Sequence, residues 1–256
     1  MKLEDAVIIV TGGASGIGAG VAEEFVSLGA RVAIFDLASS AGASAAEALG
    51  ERALFVPLDV TRPDDVERGV ARVVEHFGRV DGLVNAAGIS PAARVVKHDG
   101  TLFPLDLFRL GIEVNLIGAF DVLRNAAGAM SKNEPSDEGE RGVIVNIASI
   151  AAFEGQVGQA SYTASKGAIA AMTLPLARDL ASHGIRVMTV APGTIDTPMV
   201  QAESDEVRAS IMKTNVFPPR MGTPADIAAV IRSCFEVTYF NGEIIRVDAG
   251  ARLPPR

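Results

Sequence analysis

Short β-branched runs alternate with longer alanine-rich segments of helical period along the whole chain. The runs Ala6–Val10, Arg31–Asp36, Ala53–Asp59, Gly82–Asn85, Gly142–Ile147, Arg186–Val190 and Glu243–Val247 read as strands. Several are apolar at every position, as in Val7-Ile8-Ile9-Val10, which fits a parallel sheet covered by helices on both faces. Between them, the spacing predicts helices over Ile17–Leu28, Ala41–Leu49, Pro63–Phe77, Asp106–Met130, Tyr162–Ser182 and Pro224–Phe235. Thr61-Arg62-Pro63 and Thr223-Pro224 each bring a hydroxyl to a helix start with proline at the first turn. Strict β-α alternation predicts an α/β fold: one Rossmann-type, doubly wound parallel sheet of about seven strands with helices on both faces. No glycine- or proline-rich linker and no fixed-period repeat divides the chain, so residues 1–256 form one domain.

Three stretches interrupt the alternation: Ser90–Phe103, the charged Ser131–Arg141, and Thr197–Gly222. The run Glu134-Pro135-Ser136-Asp137-Glu138 reads as a solvated turn. Thr197–Gly222 follows a strand end and holds Met199, Ile211, Met212, Val216 and Phe217, the make-up of a substrate lid (residues 197–222).

Composition narrows the class. At 48% hydrophobic residues the chain is too apolar to be disordered, yet its longest apolar runs fall far short of the ~20 residues of a membrane span. Cys234 is the only cysteine, which excludes a disulfide framework and suits a reducing compartment. Met1–Asp5 runs straight into the first strand, so the expectation is no leader and a cytoplasmic protein. A net charge of -8 and a pI near 5.0 argue against nucleic acid as a partner.

The first strand empties into Thr11-Gly12-Gly13-Ala14-Ser15-Gly16-Ile17-Gly18, where a helix begins. Gly12, Ser15, Gly16, Ile17 and Gly18 are therefore candidate cofactor contacts. Glycines let the backbone approach a pyrophosphate whose charge meets helix N-terminal amides. Asp36 ends the second strand 20 residues after Gly16. A carboxylate there can accept both adenosine ribose hydroxyls and would repel a 2′-phosphate, favouring NAD over NADP. A helix cap or an exposed strand end is the plainer reading of Asp36. Asp59 and Val60 close the third strand, and Asn85-Ala86-Ala87-Gly88 closes the fourth at the same sheet edge, so Asn85, Ala86 and Gly88 extend the trough.

Tyr162-Thr163-Ala164-Ser165-Lys166 opens the longest alanine-rich helix, and the spacing of four puts phenol and ammonium on one face. An ammonium at ~4 Å in an effective dielectric of ~20 is worth about 4 kcal/mol, enough to draw the phenol toward the working range of a general base. Ser149 follows a strand and emerges at the same edge, where its hydroxyl can cap a turn or hold a substrate oxygen. Asn115 is a carboxamide inside an apolar helix: a structural hydrogen-bonder or a holder of relay water. Ser15 is not in a G-x-S-x-G elbow, and His76, His98 and His183 lack metal-ligand spacing, so no metal is expected.

Together these residues resemble the short-chain dehydrogenase/reductase family across essentially the whole chain. The resemblance covers Thr11–Gly18, Asn85–Gly88, the set Asn115, Ser149, Tyr162 and Lys166, and Pro192-Gly193. It implies that Tyr162 is the acid/base and that Lys166 lowers its pKa while holding the nicotinamide ribose. Ser149 then positions the substrate oxygen, Asn115 anchors a relay water, and Pro192, Ile195 and Thr197 flank the nicotinamide. Phe153-Glu154-Gly155-Gln156-Val157-Gly158-Gln159, Met172-Thr173-Leu174-Pro175 and Asn241–Arg246 further resemble the 3-hydroxyacyl-CoA dehydrogenase branch. That implies NAD-dependent oxidation of 3-hydroxyacyl-CoA, 2-methyl-branched chains included, with Gln156 facing the substrate, in a homotetramer. The match thins in Thr194–Asp196 and Met199–Lys213. Rival readings are an NAD-linked hydroxysteroid or other secondary-alcohol dehydrogenase and, from another class, a scaffold or RNA-processing accessory subunit. Pro175 within the long helix should kink it or be accommodated locally.

Overall fold

Seven strands form a single sheet in the order β3-β2-β1-β4-β5-β6-β7, every neighbouring pair parallel. They are β1 (Val7–Thr11), β2 (Arg31–Asp36), β3 (Ala53–Pro57), β4 (Gly82–Asn85), β5 (Gly142–Ile147), β6 (Ile185–Pro192) and β7 (Ile244–Val247). The computed structural model describes residues 1–202, 208 and 213–254. The central strands are buried on both sides, which is why their sequences do not alternate. Ile8 and Val10 face one core with Phe25 of α1 (Gly16–Ser27) and Phe235 of the helix Pro224–Glu236. Val7 and Ile9 face the other, with Val66 and Val70 of α3 (Pro63–Phe77).

α2 (Gly42–Leu49) returns the chain from β2 to β3. The expected helix Asp106–Met130 is three pieces: α4 (Leu105–Ile112), a π-helical turn over Glu113–Gly118, and α5 (Ala119–Met130). α6 (Ala160–Leu180) starts two residues before Tyr162 and runs through Pro175, which lies on its exposed side. α7 (Pro198–Gln201) opens the expected lid and α8 (Pro224–Glu236) follows it. Ile211 and Met212 of that lid lie outside the described residues. Among the described residues no helix is long and apolar enough to cross a membrane.

Two details differ from the expectation. Thr223 caps α8, reciprocally with Asp226, but Thr61 does not cap α3. Arg62 takes that position, and the Thr61 hydroxyl instead donates to Asp59 at 2.7 Å. β3 ends at Pro57, which leaves Asp59 and Val60 in the connection to α3. The strand order reverses between β1 and β4, and in such sheets ligands bind at the carboxyl ends beside that point.

Candidate active site

A cavity of about 540 Å³ opens at that carboxyl edge. One half is the glycine loop. Gly12 has φ +64, and a Cβ there would stand 2.9 Å from Ala87. A Cβ on Gly18 would meet the Gly12 carbonyl oxygen at 2.2 Å, so α1 could not seat against the loop. Ser15 is the N-cap of α1 but makes no side-chain capping bond, which leaves first-turn amides turned to the cavity. This is the donor set that a pyrophosphate needs.

Asp36 stands on the rim. Its carboxylate accepts from the main-chain N–H of Ala14 at 3.1 Å and of Leu37 at 2.8 Å, so it also ties the loop to β2. Leu37, Asp59, Val60 and Thr61 continue this end of the wall. Among the described residues, Lys166 is the one basic side chain lining the cavity, and it lies at the other end of the site, so nothing meets a 2′-phosphate beside Asp36. The residues present fit NAD.

Ala86 and Gly88 line the floor, but Asn85 does not reach the cavity. It is buried and donates to Asn146 Oδ1 and the Ala119 carbonyl, each at 3.0 Å. Thr11 completes this network by accepting from the N–H groups of Ala86 and Ala87, both at 3.0 Å. The Asn85 amide is used inside the sheet.

Ser149, Tyr162 and Lys166 line the same cavity, with Pro192, Ile195 and Thr197 opposite. Ser149 ends the link from β5 in extended conformation and accepts from Ala151 N at 3.1 Å, so it caps a turn while presenting its hydroxyl to Tyr162. Lys166 is buried and donates to the Ile147 carbonyl at 2.7 Å. Burial pushes its ammonium down to about 8. Burial also pushes the Tyr162 phenol above its ordinary value, and the hydrogen bond with Ser149 pulls against that. The lowering expected from Lys166 is missing from this balance. Its Nζ lies 5.9 Å from the ring centroid, turned to Ile147.

Asn115 sits in the π-helical turn, buried and outside the cavity lining. Its amide donates to Ile89 O at 2.8 Å and Ser165 Oγ at 3.0 Å and accepts from Ile89 N at 2.8 Å. Both of its donors and one acceptor position go into strapping the Ile89 backbone to α6, the structural role among the two the sequence offered. Gln156 also misses the cavity, donating to the Pro254 carbonyl at 3.2 Å. The sequence reading passed over Ile89, Leu110 and Val114 at the apolar end of the cavity, where Met199 and Val200 of the expected lid join them. Their only sequence sign was position, in the irregular connections and beside Asn115.

A family model for short chain dehydrogenases matches residues 6–208. The 3-hydroxyacyl-CoA dehydrogenase type-2 of Drosophila melanogaster is 44% identical over 254 residues, spanning 99% of this chain and 100% of that protein. Its namesake in Bos taurus is 48% identical over 97% of this chain and 96% of the relative. The crystal structure of 3-hydroxyacyl-CoA dehydrogenase type-2 from Mycobacterium avium matches with a TM-score of 0.93 and 37% identity, over 100% of both chains. On fold, site and similarity alike, the chain belongs to the short-chain dehydrogenase family and is an oxidoreductase.

Proposed function

We propose that this protein oxidises the 3-hydroxyl of 3-hydroxyacyl-CoA thioesters to the ketone, with NAD as the oxidant. The observation that carries this reading is the near-complete match to relatives of that name at 44% and 48% identity. When bound, NAD supplies the hydride acceptor. Tyr162 takes the hydroxyl proton, and Ser149 holds the same oxygen, which keeps C3 facing the nicotinamide end marked by Pro192, Ile195 and Thr197. Lys166 holds the ribose of that end. Asp36 accepts the adenosine ribose hydroxyls, and the amides at the start of α1 face the pyrophosphate. With the Asn115 amide engaged by Ile89 and Ser165, a relay water rests on a main-chain carbonyl of the π-helical turn, where helical pairing is broken. The acyl chain lies along Ile89, Leu110, Val114 and Met199. The finer reading of the assembly is a cytoplasmic homotetramer, supported by the family resemblance and by apolar side chains left on the surface of α5 and beyond α8.

The deciding experiment is NADH formation from (S)-3-hydroxybutyryl-CoA, with NADP in a parallel cuvette. Turnover with NAD alone is expected. Equal turnover with NADP would sink the role of Asp36. Absence of turnover by folded protein that still binds NADH would overturn the substrate and move the search to hydroxysteroids.

A further inference from the structure

Glu154 lies between the two hydroxyls of the site, five residues after Ser149 and eight before Tyr162. The loop it belongs to, Phe153–Gln159, is pressed onto the first turn of α6. A Cβ on Gly155 would stand 2.2 Å from the hydroxyl of Thr163, the residue after Tyr162. At the far end of the loop, the Gly158 carbonyl accepts from Ala93 N at 2.9 Å and so carries the Ser90–Phe103 connection.

The Glu154 carboxylate joins this loop to the C-terminal tail. One oxygen takes Arg246 at 2.8 Å and Arg252 at 3.4 Å, and the other accepts the main-chain N–H of Leu253 at 2.9 Å. The Arg246 guanidinium also spans Asp248 at 2.8 Å and stacks over the Phe153 ring at 5.3 Å from its centroid. The tail in turn holds the lid side. Ala249 sits at φ +53, a conformation that costs any side chain with a Cβ, and its carbonyl accepts from Val216 N at 2.9 Å and Phe217 N at 3.1 Å. Asp248 packs against Gly193 of the cavity wall, where a Cβ would stand 2.8 Å from its Cα.

An isolated, exposed ion pair would mean little. Here two arginines and a main-chain amide converge on one carboxylate that is 23% exposed, and it joins the loop between the lining residues Ser149 and Tyr162 to the tail that packs on Gly193 of the wall. We propose that Glu154 is a positioning residue for substrate capture: it clamps the tail to the Ser149–Tyr162 loop and, through Ala249, holds the Val216–Phe217 segment that follows the expected lid helix. The glycine loop and Asp36, at the adenosine and pyrophosphate end, lie outside this linkage, so NADH affinity is expected to stay within about twofold. The kinetic part of the proposal rests on the acyl-CoA reading.

The test compares wild type with Glu154→Gln, which keeps the shape and the acceptor for Leu253 but removes the charge. KM for (S)-3-hydroxybutyryl-CoA is expected to rise about tenfold with kcat within about twofold, the pattern of lost binding that is equal in ground and transition states. NADH affinity should stay within about twofold. Hydrogen exchange should quicken together in residues 153–159, 213–217 and 249–254, with β4–β6 unaffected. Arg252→Ala, on an exposed side chain, should show the same pattern more weakly. A fall in kcat at constant KM would overturn the proposal, as would faster exchange in the tail alone. If wild type oxidises no acyl thioester, the substrate reading fails, and the exchange comparison still decides whether the clamp exists.

Discussion

Lys166 is buried and Tyr162 half-buried in the cavity wall, and desolvation moves their proton equilibria in opposite directions: the phenol up, the ammonium down to about 8. With the phenol protonated at neutral pH, the base form grows as pH rises, so kcat/KM for oxidation is expected to climb with pH. Tyr162→Phe should lower turnover by about 10²–10⁴-fold while NADH still binds, measured by fluorescence titration beside the steady-state rate. Near-normal turnover in that variant would remove Tyr162 from the chemistry. Lys166 gives a separate, thermodynamic prediction. Its folded-state pKa lies below the ordinary value of 10.5, so below about pH 8 the ammonium is charged in both states and its burial cost is fully present. That cost, roughly 3 kcal/mol, is relieved as pH rises from about 8 toward 10.5, where only the unfolded chain keeps the proton. Lys166→Met also strips the donor from Ile147 O, which costs about 1–3 kcal/mol. The inactive variant should therefore melt at or up to about 4 °C above wild type at pH 7, and below it at pH 10. An offset that ignores pH would contradict the burial argument.

Across the elements, one polar row crosses the sheet: Thr11, Asn85, Asn146 and Thr189 are lateral neighbours on β1, β4, β5 and β6. Thr189 closes the row by sharing a 2.6 Å hydrogen bond with Thr173 of α6. The row fixes the heights at which the glycine loop and the Asn85–Gly88 floor leave the sheet. Asn85→Ala would leave Asn146 Oδ1 and the Ala119 carbonyl without their donor, a loss of about 2–4 kcal/mol. Differential scanning calorimetry should show Tm down by about 5–10 °C, with NADH affinity near wild type below the transition. An unchanged Tm with weakened NADH binding would return Asn85 to the cofactor.

That distinction was hidden in the sequence, because a carboxamide at a strand end looks the same whether it faces a ligand or a neighbouring strand. The strands themselves were legible, since burial on both faces leaves unbroken apolar runs. Their ends moved by up to two residues where pairing decides, as at Thr11 and Pro57. The glycine loop and the spacing from Tyr162 to Lys166 were legible because both are local. The π-helical turn was not: one extra residue between two helices leaves no periodic trace, and only Asn115 marked it. Contacts that depend on chain return were equally silent. Arg186 opens a predicted strand, yet it donates to the carbonyls of Cys234, Phe235, Val237 and Phe240, about fifty residues on.

At the scale of the molecule, the surface sets charge against apolar area. The chain carries -8, which repels like copies at long range and leaves association to apolar contact. Ile117 and Phe120 project from one side of the π-helical turn and α5, 48% and 43% exposed, while Val237, Tyr239 and Phe240 stand uncovered beyond α8. Neither group lines the cavity, so neither is explained by substrate or cofactor. These are two of several exposed apolar groups, and burying both would suit a tetramer of two unlike interfaces, whereas a dimer needs only one. Light scattering of the wild type should give four times the 26.6 kDa chain mass, with the tetramer favoured by added salt as the like charge is screened. Phe120→Glu places a carboxylate in one face only and should halve the mass rather than dissolve the assembly. A wild-type mass in that variant would show that the α5 face stays in water, and a monomer would show that it carries both contacts.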